Sequence, residues 1–131
     1  MFRNYITVIS LLSCAYSGIA VGKTQWESIF NGKNLDGWTP KISGYEVGED
    51  PLHTFVVEDG YLTVSYINYN NFNDHFGHIF YKTKLSSYKL RFSYRFVGEQ
   101  LPGGAGWAYK NSGVMLHGQA PETMSLEQAF P

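Results

Sequence analysis

The amino-acid sequence predicts an all-β protein, built as an antiparallel β-sandwich or jelly roll. Three observations favour this class: short alternating segments, glycine-containing turns between them, and a high aromatic content. Aromatic residues make up 17% of the chain, and they fit the pleated, half-buried surfaces of sheets. No amphipathic helix pattern separates the alternating segments, which disfavours an α/β fold.

The first predicted element is a turn-rich opening, SIFNGKNLDGW, from Ser28 to Trp38. Asn31-Gly32 and Asp36-Gly37 are dipeptides that supply the positive φ angles of tight turns. Trp38 is expected to anchor this opening to the core.

A β-hairpin is predicted from His53 to Tyr66. Alternating apolar residues flank Glu58-Asp59-Gly60, which is the expected turn. The asparagine-rich segment that follows, Ile67–Gly77, predicts a long surface loop, and such loops carry function more often than strands do.

Three further segments complete the predicted sheets. Strands are expected over His78–Lys84, Tyr88–Val97 and Ser112–Gly118, with a glycine-rich connection at Pro102–Gly106. In the second of these, apolar and polar residues alternate strictly, as in a strand with one buried face. Residues 120–131 predict only a turn-like connection, so the strands form an incomplete sandwich with unpaired edges. The pattern therefore predicts the leading part of a longer domain.

The N-terminus is typical of an export signal, residues 1–20, with Arg3 before an apolar run. Two cleavage sites remain open. Residues 11–14 resemble a bacterial lipobox, in which Cys14 would carry the lipid anchor, whereas residues 18–20 form an ordinary small-residue site before Val21. The expected location is exported, either periplasmic or attached to the outer membrane of a bacterium as a lipoprotein.

Composition and charge restrict the function further. The chain is 44% hydrophobic and 16% charged, which is typical of a globular domain. Without residues 1–20, nine basic and eleven acidic residues remain, and no basic stripe occurs. Nucleic acid is therefore a poor partner. Because Cys14 is the single cysteine, the domain at residues 24–131 has no disulfide.

Four motifs in a fixed order resemble the bacterial 3-keto-disaccharide hydrolase family, over about residues 26–131. The motifs are SIFNGKNLDGW, FVVEDGYLTV, GHIFYKTKLSSYKLRFSYRF and NSGVMLHG. The resemblance implies a concanavalin A-like jelly roll that is exported and acts on glycosides already oxidised at C3. A C3 ketone acidifies the C2 proton, so a base can remove it, the C1 substituent is eliminated, and water adds to the unsaturated sugar. A hydrolase or lyase with a carbohydrate ligand, and a divalent metal as a candidate cofactor, follow from the same resemblance.

The chain departs from the family pattern in one respect. Members carry a glutamate on the strand that follows the NSG strand, and this chain ends at Pro131 before that motif. The expected catalytic glutamate therefore lies beyond its last residue, which leaves open whether this polypeptide is itself an enzyme.

The leading candidate site residues lie on the NSG segment. Asn111 and Ser112 are expected to hydrogen-bond sugar hydroxyls, although a simple turn at Gly113 explains them equally well. His117 is a candidate catalytic base, and a satisfied structural histidine is the commoner alternative.

Other candidates lie around this segment. Trp107 and Tyr109 are expected to form a sugar-stacking platform, and Arg95 to bind the ketone or enolate unless it faces solvent. His75 and His78, with Asp74 beside them, have a spacing that metal ligands use on bent loops.

Two alternatives to the enzyme remain open. The same sandwich is used by non-catalytic carbohydrate-binding modules, and by structural domains of surface lipoproteins. An inward-facing glutamate on a further strand would favour the enzyme over the binding module.

Overall fold

The computed structural model describes residues 25–131 of the chain. Its four strands are β1 (Trp38–Ile42), β2 (Phe55–Glu58), β3 (Tyr61–Val64) and β4 (Gly77–Tyr81). The helical elements of this part of the chain are two single turns of 3-10 helix, Gly106–Ala108 and Pro121–Thr123. The predicted all-β class is confirmed. The export signal, both cleavage sites and Cys14 lie outside the described residues.

Strands β2 and β3 form the predicted hairpin. They pair antiparallel from Phe55 opposite Val64 to Glu58 opposite Tyr61. The turn residues Asp59 and Gly60 have φ angles of 51° and 81°. Positive φ at both central positions gives the backbone twist that matches the twist of the strands, so a tight two-residue turn closes the hairpin.

Strands β1 and β4 form a second antiparallel ladder, from Trp38 opposite Tyr81 to Ile42 opposite Gly77. The predicted third strand is thus confirmed, but it begins one residue earlier and ends at Tyr81. Nothing in the sequence pattern predicts β1, because Pro40 lacks the N–H that a ladder uses. A two-stranded ladder tolerates it, since each strand has a free edge.

The turn-rich opening has the predicted geometry. Gly32 and Gly37 have φ angles of 71° and 84°. The Trp38 indole Nε1 donates to the carbonyl of Ile29 at 3.1 Å, and its ring lies 5.3 Å from that of Tyr81. Trp38 therefore ties the opening to the β1–β4 ladder.

The core lies where the two ladders meet. Ile42 and Phe55 are its buried apolar residues in the strands. A Cβ placed on Gly77 would lie 3.3 Å from Ile42 Cγ1 and 3.4 Å from the Phe55 ring. The absence of a side chain at Gly77 therefore lets β4 approach both residues closely.

Two predicted strands do not form. Residues 88–97 and 112–118 pair with no other segment among residues 25–131, and both are largely exposed. The alternation over 88–97 is nevertheless present, because the rings of Phe92, Tyr94 and Phe96 follow one another at 5.8 and 5.6 Å. Alternation decides which side chains share a face, whereas a strand also needs a partner backbone. The jelly-roll arrangement of the sheets stays a prediction.

In the described part of the chain, no helix has the length and apolar character to cross a membrane.

Candidate functional site

A cleft of about 160 Å³ lies beside the core, bordered by two long loops and the C-terminal residues. One border is the asparagine-rich loop, residues 67–77. The other is the glycine-rich segment, residues 100–111. Aromatic rings and uncharged polar groups line the cleft: Thr54, Val64, Tyr66, Tyr69, Phe72, His75, Phe76, Gly77, Gln100, Leu101, Gly104, Trp107, Ala108, Asn111 and Phe130.

The two loops are joined by a close backbone contact. The Phe72 amide donates to the Pro102 carbonyl at 2.9 Å. Gly103 has a φ of 80°, and a Cβ built there would overlap the Asn71 side-chain amide. Glycine is thus required at this position for both its backbone angle and its size.

Stacked aromatic rings form one wall of the cleft. The Phe76 and Trp107 rings lie 5.7 Å apart and nearly parallel, at 8°. Phe72 packs edge-on against Phe76 at 4.8 Å. Trp107 is 60% exposed, so this stack presents an apolar ring surface to a ligand.

Two side-chain amides lie in the cleft, each with one hydrogen bond to its own segment. Gln100 Nε2 donates to the Ala105 carbonyl at 2.7 Å, and Asn111 Nδ2 donates to the Trp107 carbonyl at 3.0 Å. An amide nitrogen carries two hydrogens, and the amide oxygen accepts besides. Both groups therefore retain hydrogen-bonding capacity for a polar ligand.

His75 enters the cleft from a sharp bend in the asparagine-rich loop. Asn73 and Asp74, which precede it, have left-handed φ angles of 49° and 55°. Its Nδ1 lies 3.0 Å from the Ser43 carbonyl oxygen. Because a carbonyl only accepts, Nδ1 carries the proton, and in the neutral ring Nε2 is left as the basic nitrogen.

Two tyrosines close the side of the cleft nearest the hairpin. Tyr66 is 47% exposed, and its partial burial raises the pKa of its hydroxyl above the ordinary value, which favours the protonated, donating form. Burial is also the main cause that raises the pKa of Tyr69, whose hydroxyl lies 2.6 Å from Thr54 Oγ1. The Tyr69 hydroxyl is thereby held by Thr54, whereas no comparable partner is needed for Tyr66 to line the cleft.

The structure brings three of the predicted site residues together. His75, Trp107 and Asn111 all line the cleft. The other predicted site residues do not line the cleft. His78 is half-buried in β4, and four residues are exposed elsewhere: Arg95, Tyr109, Ser112 and His117. Tyr109 donates to Glu99 at 3.1 Å, and His117 has a left-handed φ of 59°. The functional roles expected of these residues stay predictions.

The metal hypothesis places His75 and His78 as ligands. His78 Nε2 lies 2.8 Å from the Ala129 carbonyl oxygen, so each ring bonds a different segment. Among residues 25–131, no three His, Cys, Asp or Glu side chains come together as metal ligands. These residues do not by themselves form a metal centre, and the divalent metal stays a prediction.

Sequence reasoning missed several cleft residues, among them Phe76, Gln100, Tyr66 and Phe130. Each is an ordinary core or loop residue in its own segment, and no local pattern marks it. The abundance of aromatic residues was the one available signal, but it does not say which rings meet.

A wider depression lined by Tyr45, Glu49, Asp50 and Pro51, of about 450 Å³, is open to solvent. The Asp50 carboxylate oxygens accept from the amides of Thr54 and Phe55 at 2.7 and 2.8 Å. This carboxylate holds the start of β2, so the depression is a less suitable site than the aromatic cleft.

An aromatic wall with a few placed polar groups is the usual composition of a small-molecule binding site. The family model of the 3-keto-alpha-glucoside-1,2-lyase-like domain matches residues 25–130. The chain belongs to this family. No curated protein and no solved structure matches the chain.

Proposed function

We propose that the cleft binds a glycoside oxidised at C3 and that the protein cleaves it by elimination. Family membership supports a carbohydrate-related role, and the cleft supports the kind of ligand. The Phe76–Trp107 stack offers an apolar face for the C–H surface of a pyranose. The amides of Gln100 and Asn111 offer hydrogen bonds for its hydroxyls. The jelly-roll arrangement of the sheets belongs to the same proposal.

The chemistry assigns a role to each polar group. A base takes the C2 proton, the electron pair forms an enolate with the C3 oxygen, and the C1–oxygen bond then breaks. His75 Nε2 is the base favoured by the cleft, because its Nδ1 is occupied by the Ser43 carbonyl. Tyr66 is a proton donor for the enolate or leaving oxygen. Water then adds to the unsaturated sugar.

The test is release of aglycone or free sugar from a panel of 3-keto-glucosides by the protein. His75→Ala is expected to abolish release. His117→Ala tests the alternative candidate base on the NSG segment and is expected to leave release unchanged. Loss of activity with His117→Ala alone would contradict the assignment of His75. No release from any 3-keto-glucoside would remove the enzymatic proposal.

A non-catalytic carbohydrate-binding module is the second candidate. One observation favours it: in the part of the chain that the structure describes, no carboxylate lines the cleft. Saturable binding of a 3-keto-glucoside without any turnover would support this alternative. Stabilisation by a ligand, seen as a higher melting temperature, would in turn contradict a purely structural lipoprotein domain.

We also propose that the protein is exported, either anchored through a lipid on Cys14 or cleaved before Val21 as an ordinary periplasmic protein. This rests on the sequence of residues 1–20. Labelling with a fatty-acid analogue in a bacterial host, with Cys14→Ala as control, tests it. Cleavage before Val21 without lipid incorporation would favour the ordinary signal.

A further inference from the structure

The imidazole of His75 is held by a tight turn at the end of β1, residues 42–45. The Tyr45 amide donates to the Ile42 carbonyl at 3.0 Å, which closes the turn. Of the two central residues, Ser43 and Gly44, only Gly44 has a positive φ, 86°. A positive φ at the third position alone is the geometry of a type II turn.

The central peptide of this turn, between Ser43 and Gly44, is hydrogen-bonded at both ends. Its N–H, on Gly44, donates to the Leu126 carbonyl at 2.9 Å. Its carbonyl oxygen, on Ser43, lies 3.0 Å from His75 Nδ1. The N–H and the carbonyl of a trans peptide point in opposite directions, so one orientation of a single peptide plane satisfies both contacts.

The same turn also contacts the ring of His75. The Tyr45 ring lies 5.1 Å from the imidazole at 37°, and the Tyr69 ring lies 6.3 Å from it at 66°. The Tyr69 hydroxyl is in turn 2.6 Å from Thr54 Oγ1. Ring packing therefore holds the imidazole in place, and the Ser43 carbonyl decides which of its nitrogens carries the proton.

The φ angle of Gly44 decides which end of the peptide faces the imidazole. In a type I turn both central residues have negative φ, and the central peptide is rotated by roughly half a turn. The amide of residue 44 would then face His75 Nδ1 in place of the Ser43 carbonyl. Because an N–H only donates, Nδ1 would have to accept, and the proton of the neutral ring would move to Nε2.

We propose that Gly44 is a positioning residue whose left-handed φ aims the Ser43 carbonyl at His75 and thereby keeps Nε2 unprotonated, as a base requires. The inference rests on the proposed function, because it assumes that His75 takes the C2 proton. It adds to that function the backbone feature that sets the tautomer of the base.

Gly44 is required for its backbone angle and not for its size. A Cβ placed there would lie 3.6 Å from His75 Cε1 and 3.9 Å from Glu127 Oε2, which are ordinary contacts. The strain of an alanine with left-handed φ is comparable with the strength of a hydrogen bond, so Gly44→Ala brings the two peptide orientations close in free energy. Asparagine adopts left-handed φ more readily than alanine, so Gly44→Asn favours the original orientation.

The test is the ¹⁵N NMR spectrum of the His75 ring at about pH 9, where free imidazole is neutral. The unaltered protein and Gly44→Asn are expected to show a protonated Nδ1 and an unprotonated Nε2. In Gly44→Ala, the tautomer with its proton on Nε2 is expected in about half of the molecules. Gly48→Ala is the matched control, because Gly48 has a φ of 91° and its Cβ would meet nothing within 4 Å.

Release of sugar from 3-keto-glucosides is the second readout. Gly44→Ala is expected to lower kcat about twofold and to leave KM unchanged, because only the molecules with a free Nε2 react. Gly48→Ala is expected to change neither constant.

The inference is wrong if folded Gly44→Ala keeps the tautomer of the unaltered protein. It is also wrong if Gly44→Asn or Gly48→Ala changes the tautomer as much as Gly44→Ala does. Should Gly44→Ala fail to fold, the unaltered protein and Gly44→Asn decide: a proton on Nδ1 in both supports the inference, and a proton on Nε2 in either contradicts it.

The proposed function fails in a different way. No release of sugar by the unaltered protein removes that function, while the ring spectra still decide whether Gly44 sets the tautomer. A changed tautomer in Gly44→Ala with unchanged release would remove His75 as the base and leave the effect of Gly44 on the ring.

Discussion

The Lys41 ammonium donates a hydrogen bond of 2.8 Å to the backbone carbonyl of Leu126, 85 residues further along the chain. A cation buried with only backbone carbonyls as hydrogen-bond partners is costly to desolvate, so it persists only where its hydrogens are all used. This contact joins β1 to the C-terminal segment, residues 124–131, of which Phe130 lines the cleft.

Replacing Lys41 by methionine is expected to destabilise the protein strongly. The change removes three hydrogen bonds from a charged donor and leaves the Tyr45 carbonyl without its donor, whereas the carbonyls of Ile42 and Leu126 keep backbone amides as partners. The cost is about 3 kcal/mol in the free energy of unfolding. Urea unfolding followed by circular dichroism measures it. Lys84→Met, at an exposed position, is the control and is expected to change stability little. Equal effects of the two variants would show that the carbonyl contacts contribute nothing specific.

Asp50 is expected to stabilise the start of β2. Its two carboxylate oxygens accept from the amides of Thr54 and Phe55, so Asp50→Ala leaves both donors unpaired at a cost of about 1–3 kcal/mol. Asp50→Asn keeps one acceptor oxygen and should lose less. Thermal unfolding compares them, with exposed Glu58→Ala as control. A larger loss with asparagine than with alanine would contradict this account.

Gly103→Ala is expected to separate the two loops of the cleft. A left-handed φ costs a non-glycine residue about 1–2 kcal/mol, and the new methyl group overlaps Asn71 as well. Gly113→Ala is the control, because its Cβ meets nothing within 4 Å. Adding Asn71→Ala to Gly103→Ala should restore part of the lost stability, since it removes the overlap but not the backbone strain. No recovery in the double variant would assign the whole effect to backbone strain.

Trp107→Ala is expected to weaken binding of methyl 3-keto-α-glucoside about tenfold, because it removes one ring of the stacked wall. Isothermal titration calorimetry measures the affinity. Trp26→Ala is the matched control: Trp26 is 51% exposed, lies over the Arg91 guanidinium at 4.8 Å and does not line the cleft. Equal losses in both variants would place the ligand elsewhere.

The stability of the protein is expected to fall in alkaline solution because of Tyr66. Burial raises its pKa in the folded state above the ordinary value of 10.0, so the unfolded state ionises first as the pH rises. The stabilising contribution is therefore complete below pH 10.0 and is lost above it. Melting temperatures from pH 8 to 11 test this, and Tyr66→Phe should show a weaker decline at the alkaline end. An identical decline in Tyr66→Phe would assign it to other groups.

Local features of the fold were predictable because short-range chemistry specifies them. Asp59-Gly60 needs no distant partner to adopt positive φ, so the hairpin is confirmed. The same holds for Gly32 and Gly37 in the opening. The strand at 88–97 fails because its alternation is local, whereas the hydrogen bonds that define a strand come from another segment.

The amino-acid sequence by itself determined the all-β class, the turns, the hairpin and the family, since each of them depends on patterns of neighbouring residues. Tertiary structure alone decided which side chains share the cleft, because His75, Trp107 and Phe130 lie on three separate segments. Their meeting depends on the Phe72–Pro102 contact and on Lys41 reaching Leu126. Such long-range hydrogen bonds form only once the chain has folded, so no local sequence pattern predicts them.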